Sequence, residues 1–339
     1  MSLLSGVKSP RYMRHICSGL EQRVMFAKVG VVGTGVIGAS WTTLFLSKGL
    51  RVLATDPAPG AKERLLAHVR GSFGILGVSE SHGEVLLREN LQFEDKLDPA
   101  GLAELDFVQE SGPEKQEYKI SVFHFLDRHT RPDIILASSS SGLPASQFIG
   151  ECRVNPNRVL IGHPFNPPHL IPLVEVVPHP GVKSATVAKA VSFYESLDKK
   201  PVVIAAETPG FVANRLQAAL VHEAYSLVSR GIVSAKDVDD VVTNSIALRW
   251  AIQGPFLTKV LGGGGGGIDG FRHHLSHVGK AAGEWIEDMR RNAFESTPES
   301  NEKLVESVQK ELKTIENVDL KSTRDQFLIQ VLQSKARLA

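Results

Sequence analysis

Cysteine is scarce in this chain of 339 residues: Cys17 and Cys152 are the only two. Two thiols build no disulfide framework, and they suit a reducing compartment. Net charge is nearly absent, at +1, so the totals give no reason to expect nucleic acid or an acidic membrane surface as a partner. Apolar runs approaching about 18 residues are missing, which excludes a helical membrane span. Hydrophobic content of 42% and charged content of 22% are ordinary for a globular protein. A chain of this length suggests roughly two domains, each large enough to bury its own core. The expected location is therefore the cytoplasm. Residues 1–26 carry Lys8, Arg11, Arg14 and Arg23 against a single acid, Glu21. They read as an N-terminal extension, with import into an organelle left open.

The rest of the chain divides by character. Short β-branched runs at 27–33, 51–56, 105–110, 134–138, 158–162, 173–177 and 201–207 alternate with helical patterns. That alternation predicts a doubly wound parallel sheet. After "TPGF" (208–211) only helical patterns remain, at 211–230, 235–246, 255–261, 270–280, 300–314 and 321–335. The expected domains are thus 27–207, an α/β nucleotide-binding domain, and 208–339, a helical domain for substrate and dimer contacts. The run Gly262–Gly267 reads as a loop, because no strand precedes it to form a phosphate cradle.

"GTGVIG" (33–38) follows the first strand and opens a helix, which is the context a dinucleotide fingerprint requires. Gly33 permits the tight turn, Gly35 lets backbone approach a pyrophosphate, and Gly38 lets helix and strand close up. Val36 and Ile37 lie between the glycines, where the helix N-terminus meets the phosphates. Asp56 ends the second strand, 18 residues after Gly38, where an acid binds ribose hydroxyls and repels a 2′-phosphate. The cofactor expected is NAD rather than NADP.

Beyond the fingerprint, three stretches carry candidate chemistry. "ASSSSGLP" (137–144) sits at a strand's carboxyl end and reads equally as a substrate-binding loop or a polar turn. "IGHPFNPPHLIPLVEVV" (161–177) keeps one acid, Glu175, inside an apolar run, with His163 and His169 as the upstream partners on offer. A lone buried carboxylate is costly, so a partner is expected. His163 and Glu175, 12 residues apart, form either a structural ion pair or a base held by its orienting acid. In "TPGFVANR" (208–215), Asn214 faces the cleft if Pro209 opens the helix, and its amide suits a carbonyl oxygen or an interdomain bond.

Taken together, "GTGVIG", "SSSSGL", "GHPFNPPHLIPLVEVV" and "TPGFVANRLQAAL" resemble the 3-hydroxyacyl-CoA dehydrogenase superfamily over about residues 27–280. The wording around His163 and "LRWAIQGPFLT" (248–258) is closer to its small-hydroxyacid branch, which includes carnitine 3-dehydrogenases and the gulonate 3-dehydrogenases known as lambda-crystallin. The resemblance implies a Rossmann-type sheet followed by an all-helical domain, NAD use, a homodimer, and a small hydroxy-acid or keto substrate. It implies His163 as base, Glu175 as its orienting acid, and Ser141 and Asn214 as partners of the substrate oxygen. Glu114 and Lys119 match positions near the nicotinamide ribose.

Departures from the pattern are visible. The usual S-N-T-S-S-L becomes Ser138-Ser139-Ser140-Ser141-Gly142-Leu143, and "NSIALRW" lacks glycines expected before LRW. Over residues 57–100, Lys62, Arg64, Arg70, Arg88 and Lys96 are outnumbered by Glu63, Glu80, Glu84, Glu89, Glu94, Asp95 and Asp98, an unfavourable balance for a CoA phosphate. Arg249 and Trp250 are candidates for a substrate carboxylate and a packing wall, or a plain surface pair. The resulting expectation is NAD-dependent interconversion of a 3-hydroxy acid and its 3-keto acid. The alternatives are a 3-hydroxyacyl-CoA dehydrogenase, a ketoreductase of secondary metabolism, and a non-catalytic, crystallin-like NADH-binding protein. No metal is expected.

Overall fold

Lys28–Val32 (β1), Arg51–Thr55 (β2), Leu91–Glu94 (β3), Phe107–Glu110 (β4), Ile135–Ser138 (β5), Val159–Pro164 (β6), Leu173–Pro178 (β7) and Lys200–Val203 (β8) form one sheet in the order β3-β2-β1-β4-β5-β6-β7-β8. This is a computed structural model, and it describes residues 26–262 and 266–337. The calls on residues 1–25 and on the middle of the glycine run, 263–265, lie outside the described residues.

Helices Val36–Ser47 (α1), Ala61–Phe73 (α2), Glu80–Asn90 (α3), Pro99–Ala103 (α4), Gln116–His129 (α5) and Ser184–Ser196 (α6) belong with this sheet. The strands are apolar on both faces, as parallel strands covered by helices must be. Val29, Val31, Phe107, Leu136, Leu160 and Val176 are all at most 1% exposed. On one face Trp41, Phe45, Phe107, Phe193 and Tyr194 pack as a connected aromatic cluster. Each fully buried side chain of this kind contributes about 1.5–3 kcal/mol.

The expected all-parallel sheet is corrected at one place, and that place matters. β6 and β7 pair antiparallel, while β7 and β8 pair parallel. The segment 165–172 is too short for the crossover that parallel strands need, so the chain turns back as a hairpin. Smaller corrections follow the same local logic. β3 and α4 carry too few residues to show a period. The strand expected to reach Glu207 ends at Val203.

By chain contacts the molecule divides after Phe211 into two compact units. The second contains Ala213–Ser229 (α7), Ala235–Val241 (α8), a π-turn at Val242–Ile246, Ala247–Gly262 (α9), Gly267–Arg291 (α10), Pro298–Thr314 (α11) and Leu320–Ala336 (α12). α9 extends well before the expected 255, with a break at Gly254 (φ 67°) next to Pro255. α10 runs well past the expected 280. The helix expected over 211–230 begins at Ala213, not at Pro209, because Gly210 (φ 72°) and Phe211 (φ 50°) take left-handed backbone conformations.

Candidate active site

The glycine loop connects β1 to α1 at the point where strand order reverses between β1 and β4, the usual ligand crevice of such sheets. Gly33 has φ 88°, and a Cβ there would lie 2.8 Å from backbone atoms of Ser111 and Gly112. A Cβ on Gly38 would lie 1.8 Å from the Gly33 carbonyl oxygen, so only glycine allows this helix to pack on this strand. Nothing crowds Gly35 within 4 Å. α1 starts at Val36 with no side-chain cap and no acid in its first turn, so its positive end is not neutralised locally.

Asp56 lies just past β2. Its Oδ2 accepts from Thr34 N at 2.7 Å and Thr34 Oγ1 at 3.0 Å, and its Oδ1 accepts from Ala58 N at 2.9 Å. A cleft of 350 Å³ runs beside Gly33, lined by Thr55, Pro57, Lys96 and Tyr118 among others. Burial pushes the Tyr118 phenol up to about 12, with Glu110 and Asp56 adding to the effect. A close backbone approach, an unneutralised helix end and a carboxylate at the end of β2 are what a dinucleotide with free ribose hydroxyls requires, so these residues fit NAD.

The hairpin answers which histidine Glu175 meets. In the β6–β7 register His163 stands directly opposite Glu175, and paired residues of antiparallel strands project on one face. His163 Nδ1 lies 2.8 Å from Glu175 Oε2, with the residues 5% and 1% exposed. A carboxylate at Nδ1 keeps a proton there and leaves Nε2 as the acceptor. His169 goes elsewhere: its Nδ1 lies 2.7 Å from Ser40 Oγ on α1, and its backbone N–H donates to the same oxygen at 2.9 Å. Lys199 Nζ donates to the carbonyls of Pro168 and Ile171 (the latter at 2.9 Å), which ties down the hairpin loop. Burial, helped by Lys48, depresses the Lys199 ammonium to about 7. The rings of Phe165 and Phe211 flank the imidazole at 5.4 and 5.6 Å.

Ser138 closes β5, and Ser139, Ser140 and Ser141 follow it. Ser138 Oγ donates to Glu110 Oε2 at 2.5 Å, and Lys119 Nζ donates to the same oxygen at 2.9 Å. Ser139 Oγ accepts from Gln109 Nε2 at 2.7 Å. Ser140 Oγ donates to Glu114 Oε1 at 2.6 Å, and that oxygen also accepts from the backbone N–H groups of Ser141, Gly142 and Leu143 at 3.0–3.3 Å. Ser141 is exposed. Burial raises the Glu114 carboxyl, but the Ser140 hydroxyl, the Lys119 charge and these N–H groups outweigh it, and the net position is below the ordinary value. Lys119 is 1% exposed and held between Glu110 and Glu114.

Sequence comparison matches residues 28–208 to the NAD-binding domain of 3-hydroxyacyl-CoA dehydrogenase, and residues 210–318 to its C-terminal domain. The chain belongs to the 3-hydroxyacyl-CoA dehydrogenase family. It is an NAD-dependent oxidoreductase of 3-hydroxy acids. A 3-hydroxyacyl-CoA dehydrogenase of Gibberella moniliformis is 47% identical over 312 residues, covering 92% of this chain and 95% of that protein. An L-carnitine dehydrogenase of Streptomyces coelicolor is 39% identical over 315 residues, covering 92% and 95%. A 3-hydroxyacyl-CoA dehydrogenase structure from Archaeoglobus fulgidus has TM-score 0.61 at 26% identity, covering 85% of this chain and 99% of that one. The fold is shared with an NAD-dependent 5-formyl-3-hydroxy-2-methylpyridine 4-carboxylic acid 5-dehydrogenase, at TM-score 0.70 and 24% identity, covering 92% and 99%.

In this dehydrogenase the remaining candidates lie in the second unit. Asn214 is half-buried at the second residue of α7, and Arg249 and Trp250 are exposed near the start of α9. What sequence reading missed is the pair Gln109 and Glu110 on β4, both 0% exposed. The signal was present in "LDFVQE": two polar residues in a buried strand, the same anomaly that singled out Glu175.

Proposed function

We propose that His163 is the proton acceptor for the substrate hydroxyl in this dehydrogenase. The observation that carries the proposal is the 2.8 Å contact between His163 Nδ1 and Glu175 at the carboxyl end of the sheet. Glu175 holds the imidazole in the tautomer with Nε2 unprotonated and stabilises the imidazolium formed on proton uptake. Ser141, in a loop braced by Glu114, donates to the substrate oxygen, and Asn214 supports the same oxygen. Gly33, Gly35, Val36, Ile37 and Gly38 hold the cofactor pyrophosphate, and Asp56 its adenosine ribose. Glu114 and Lys119 shape the edge near the nicotinamide ribose through the serine loop, since the Lys119 ammonium is enclosed. Bound NAD supplies the hydride acceptor. The protein's own contribution is a positioned base and dipoles set in advance.

The substrate is a small free 3-hydroxy acid. Support comes from the α2–α3 hairpin, where Arg70 donates to both oxygens of Glu84 at 2.6 and 3.0 Å and Arg88 donates to Glu89 at 2.9 Å. These cations are neutralised within the hairpin and are not held ready for a CoA phosphate. The working form is a homodimer. Leu248, Ile252 and Phe256 on α9 are 60%, 67% and 75% exposed, an apolar surface that a second copy would cover. The cytoplasm is the proposed location. Among the described residues no helix is long and apolar enough to cross a membrane.

The test is NAD reduction, followed by absorbance, across carnitine, gulonate, 3-hydroxybutyrate and 3-hydroxybutyryl-CoA. A free acid turned over with kcat/KM at least roughly tenfold above the CoA ester supports the reading. Preference for the CoA ester overturns the substrate assignment and leaves the base assignment standing.

A further inference from the structure

Gln109 lies on β4, two strands from the one that carries His163, yet its side chain spans the interval. Its Nε2 donates to the Gly162 carbonyl at 3.1 Å and to Ser139 Oγ at 2.7 Å, and its Oε1 accepts from Tyr194 OH at 2.8 Å. The Gly162 carbonyl can only accept, so it fixes which end of the amide is nitrogen. Ser139 Oγ also accepts from Trp41 Nε1 at 3.3 Å and lies 2.9 Å from Ser111 Oγ. A hydroxyl has two acceptor positions and one proton. Trp41 and Gln109 use both acceptor positions, so the Ser139 proton goes to Ser111. Every polar atom of the amide is thus used, and the direction of each bond is set.

The amide therefore ties two pieces of the site just beyond the last rung of the β5–β6 ladder, where Ser138 stands opposite Ile161. One is Gly162, the residue before His163. The other is Ser139, two residues before Ser141. Gly162 itself admits no side chain, because a Cβ there would lie 1.8 Å from Tyr194 OH. Where the family pattern S-N-T-S has asparagine this chain has Ser139, and the Gln109 amide bonds to that shorter residue.

We propose that Gln109 is a positioning residue for the dehydrogenase reaction, setting the distance between the serine loop and the His163 strand through Ser139 and the Gly162 carbonyl. This rests on His163 and Ser141 being the groups that meet the substrate oxygen. Both acceptors of its Nε2 lie within two residues of those groups, so loss of the amide shifts them relative to each other. Misplacements on the order of 1 Å cost up to about 10²-fold in rate.

The test measures kcat, KM for NAD, NADH affinity and Tm for Gln109→Leu and Gln109→Glu, with His163→Gln in parallel. Gln109→Leu is expected to lose roughly 10- to 100-fold in kcat, assayed well below its Tm, with KM for NAD unchanged. In Gln109→Glu a carboxylate faces the Gly162 carbonyl, and on protonation it regains one donor. The ratio of its kcat to that of the wild type should then rise as the pH falls. Tyr194, the titratable group touching this position, has its phenol pushed up by burial and stays neutral throughout.

Wild-type kcat in Gln109→Leu, or a pH-independent ratio in Gln109→Glu, overturns the proposal whatever His163→Gln does. Wild-type turnover in His163→Gln overturns the base assignment instead. If Gln109→Leu does not fold, Tyr194→Phe and Ser139→Ala each remove one bond of the set, and a several-fold kcat loss in either supports the proposal. Unchanged kcat in both removes it.

Discussion

Two carboxylates, Glu110 and Glu175, are buried to within 1% exposure on strands of the same sheet, and each faces a basic side chain. Glu110 meets Lys119, itself sealed, and takes further bonds from Ser138 Oγ and Gly112 N. Burial dominates there and raises the Glu110 carboxyl, against the opposing Lys119 charge. Glu175 meets an imidazole, the one ring whose ordinary pKa lies where proton exchange is useful. Burial of an acid is therefore common to a brace and to a proposed catalytic element. What separates them is whether the partner can give up and take back a proton at neutral pH. The comparison predicts that damage to one acid appears as lost rate, and damage to the other as lost stability.

The largest expected effect is on the imidazole. His163→Gln should lower kcat by roughly 10²–10⁴-fold while NADH still binds, as followed by fluorescence quenching. Retention of most of the turnover would remove the base from the mechanism. Glu175→Gln keeps shape but weakens the hold on the tautomer, and a loss on the order of 10²-fold with a nearly unchanged Tm is expected. A large Tm drop without rate loss would make Glu175 a brace like Glu110.

Glu110→Gln strikes the other side of the comparison. It leaves the buried Lys119 ammonium with only Glu114, 3.5 Å away, as counter-charge, so urea unfolding should show a loss of stability of up to about 3–5 kcal/mol. An unfolding midpoint equal to that of the wild type would show that the pair is not a brace.

Glu114 sharpens the contrast, because its carboxyl lies below the ordinary value of 4.5. A depressed carboxyl adds stability that is full above its unfolded value and lost as the pH falls through the lower folded one. The stability gap between wild type and Glu114→Gln should therefore be present at neutral pH and close on acidification below 4.5. Thermal melts across that range decide it, and a gap that widens with acid contradicts the assignment. The smallest effect is expected at Asp56. Asp56→Ala should shift the NAD-to-NADP preference by roughly tenfold, the scale of one charge-assisted hydrogen bond, and an unmoved ratio of kcat/KM values would count against the ribose role.

Legibility in the sequence followed how local each constraint was. The glycine fingerprint was readable because Gly33 and Gly38 answer to backbone contacts within one strand–turn–helix unit. Glu175 was readable as an anomaly in an apolar run, and the choice of His163 over His169 became definite only through hairpin register. Gln109 and Glu110 showed the same anomaly, but their partners lie 30 and 28 residues away at Ser139 and Ser138. The helix starting at Ala213 was misplaced because Phe211, a residue that seldom adopts positive φ, does so here.

By itself the sequence determined the nucleotide-binding half: apolar strand runs alternating with helices, glycines where no Cβ fits, and an acid at the end of β2, all set by neighbours along the chain. It also determined that Glu175 had to have a partner, since an isolated charge in an apolar strand is too costly. Only the tertiary structure decided that β7 turns back on β6, that Ser138 and Ser140 bond to Glu110 and Glu114, and that one amide on β4 bridges the serine loop and the histidine strand. These depend on strand register and on side chains meeting across the sheet, and neither is set until the whole layer has assembled.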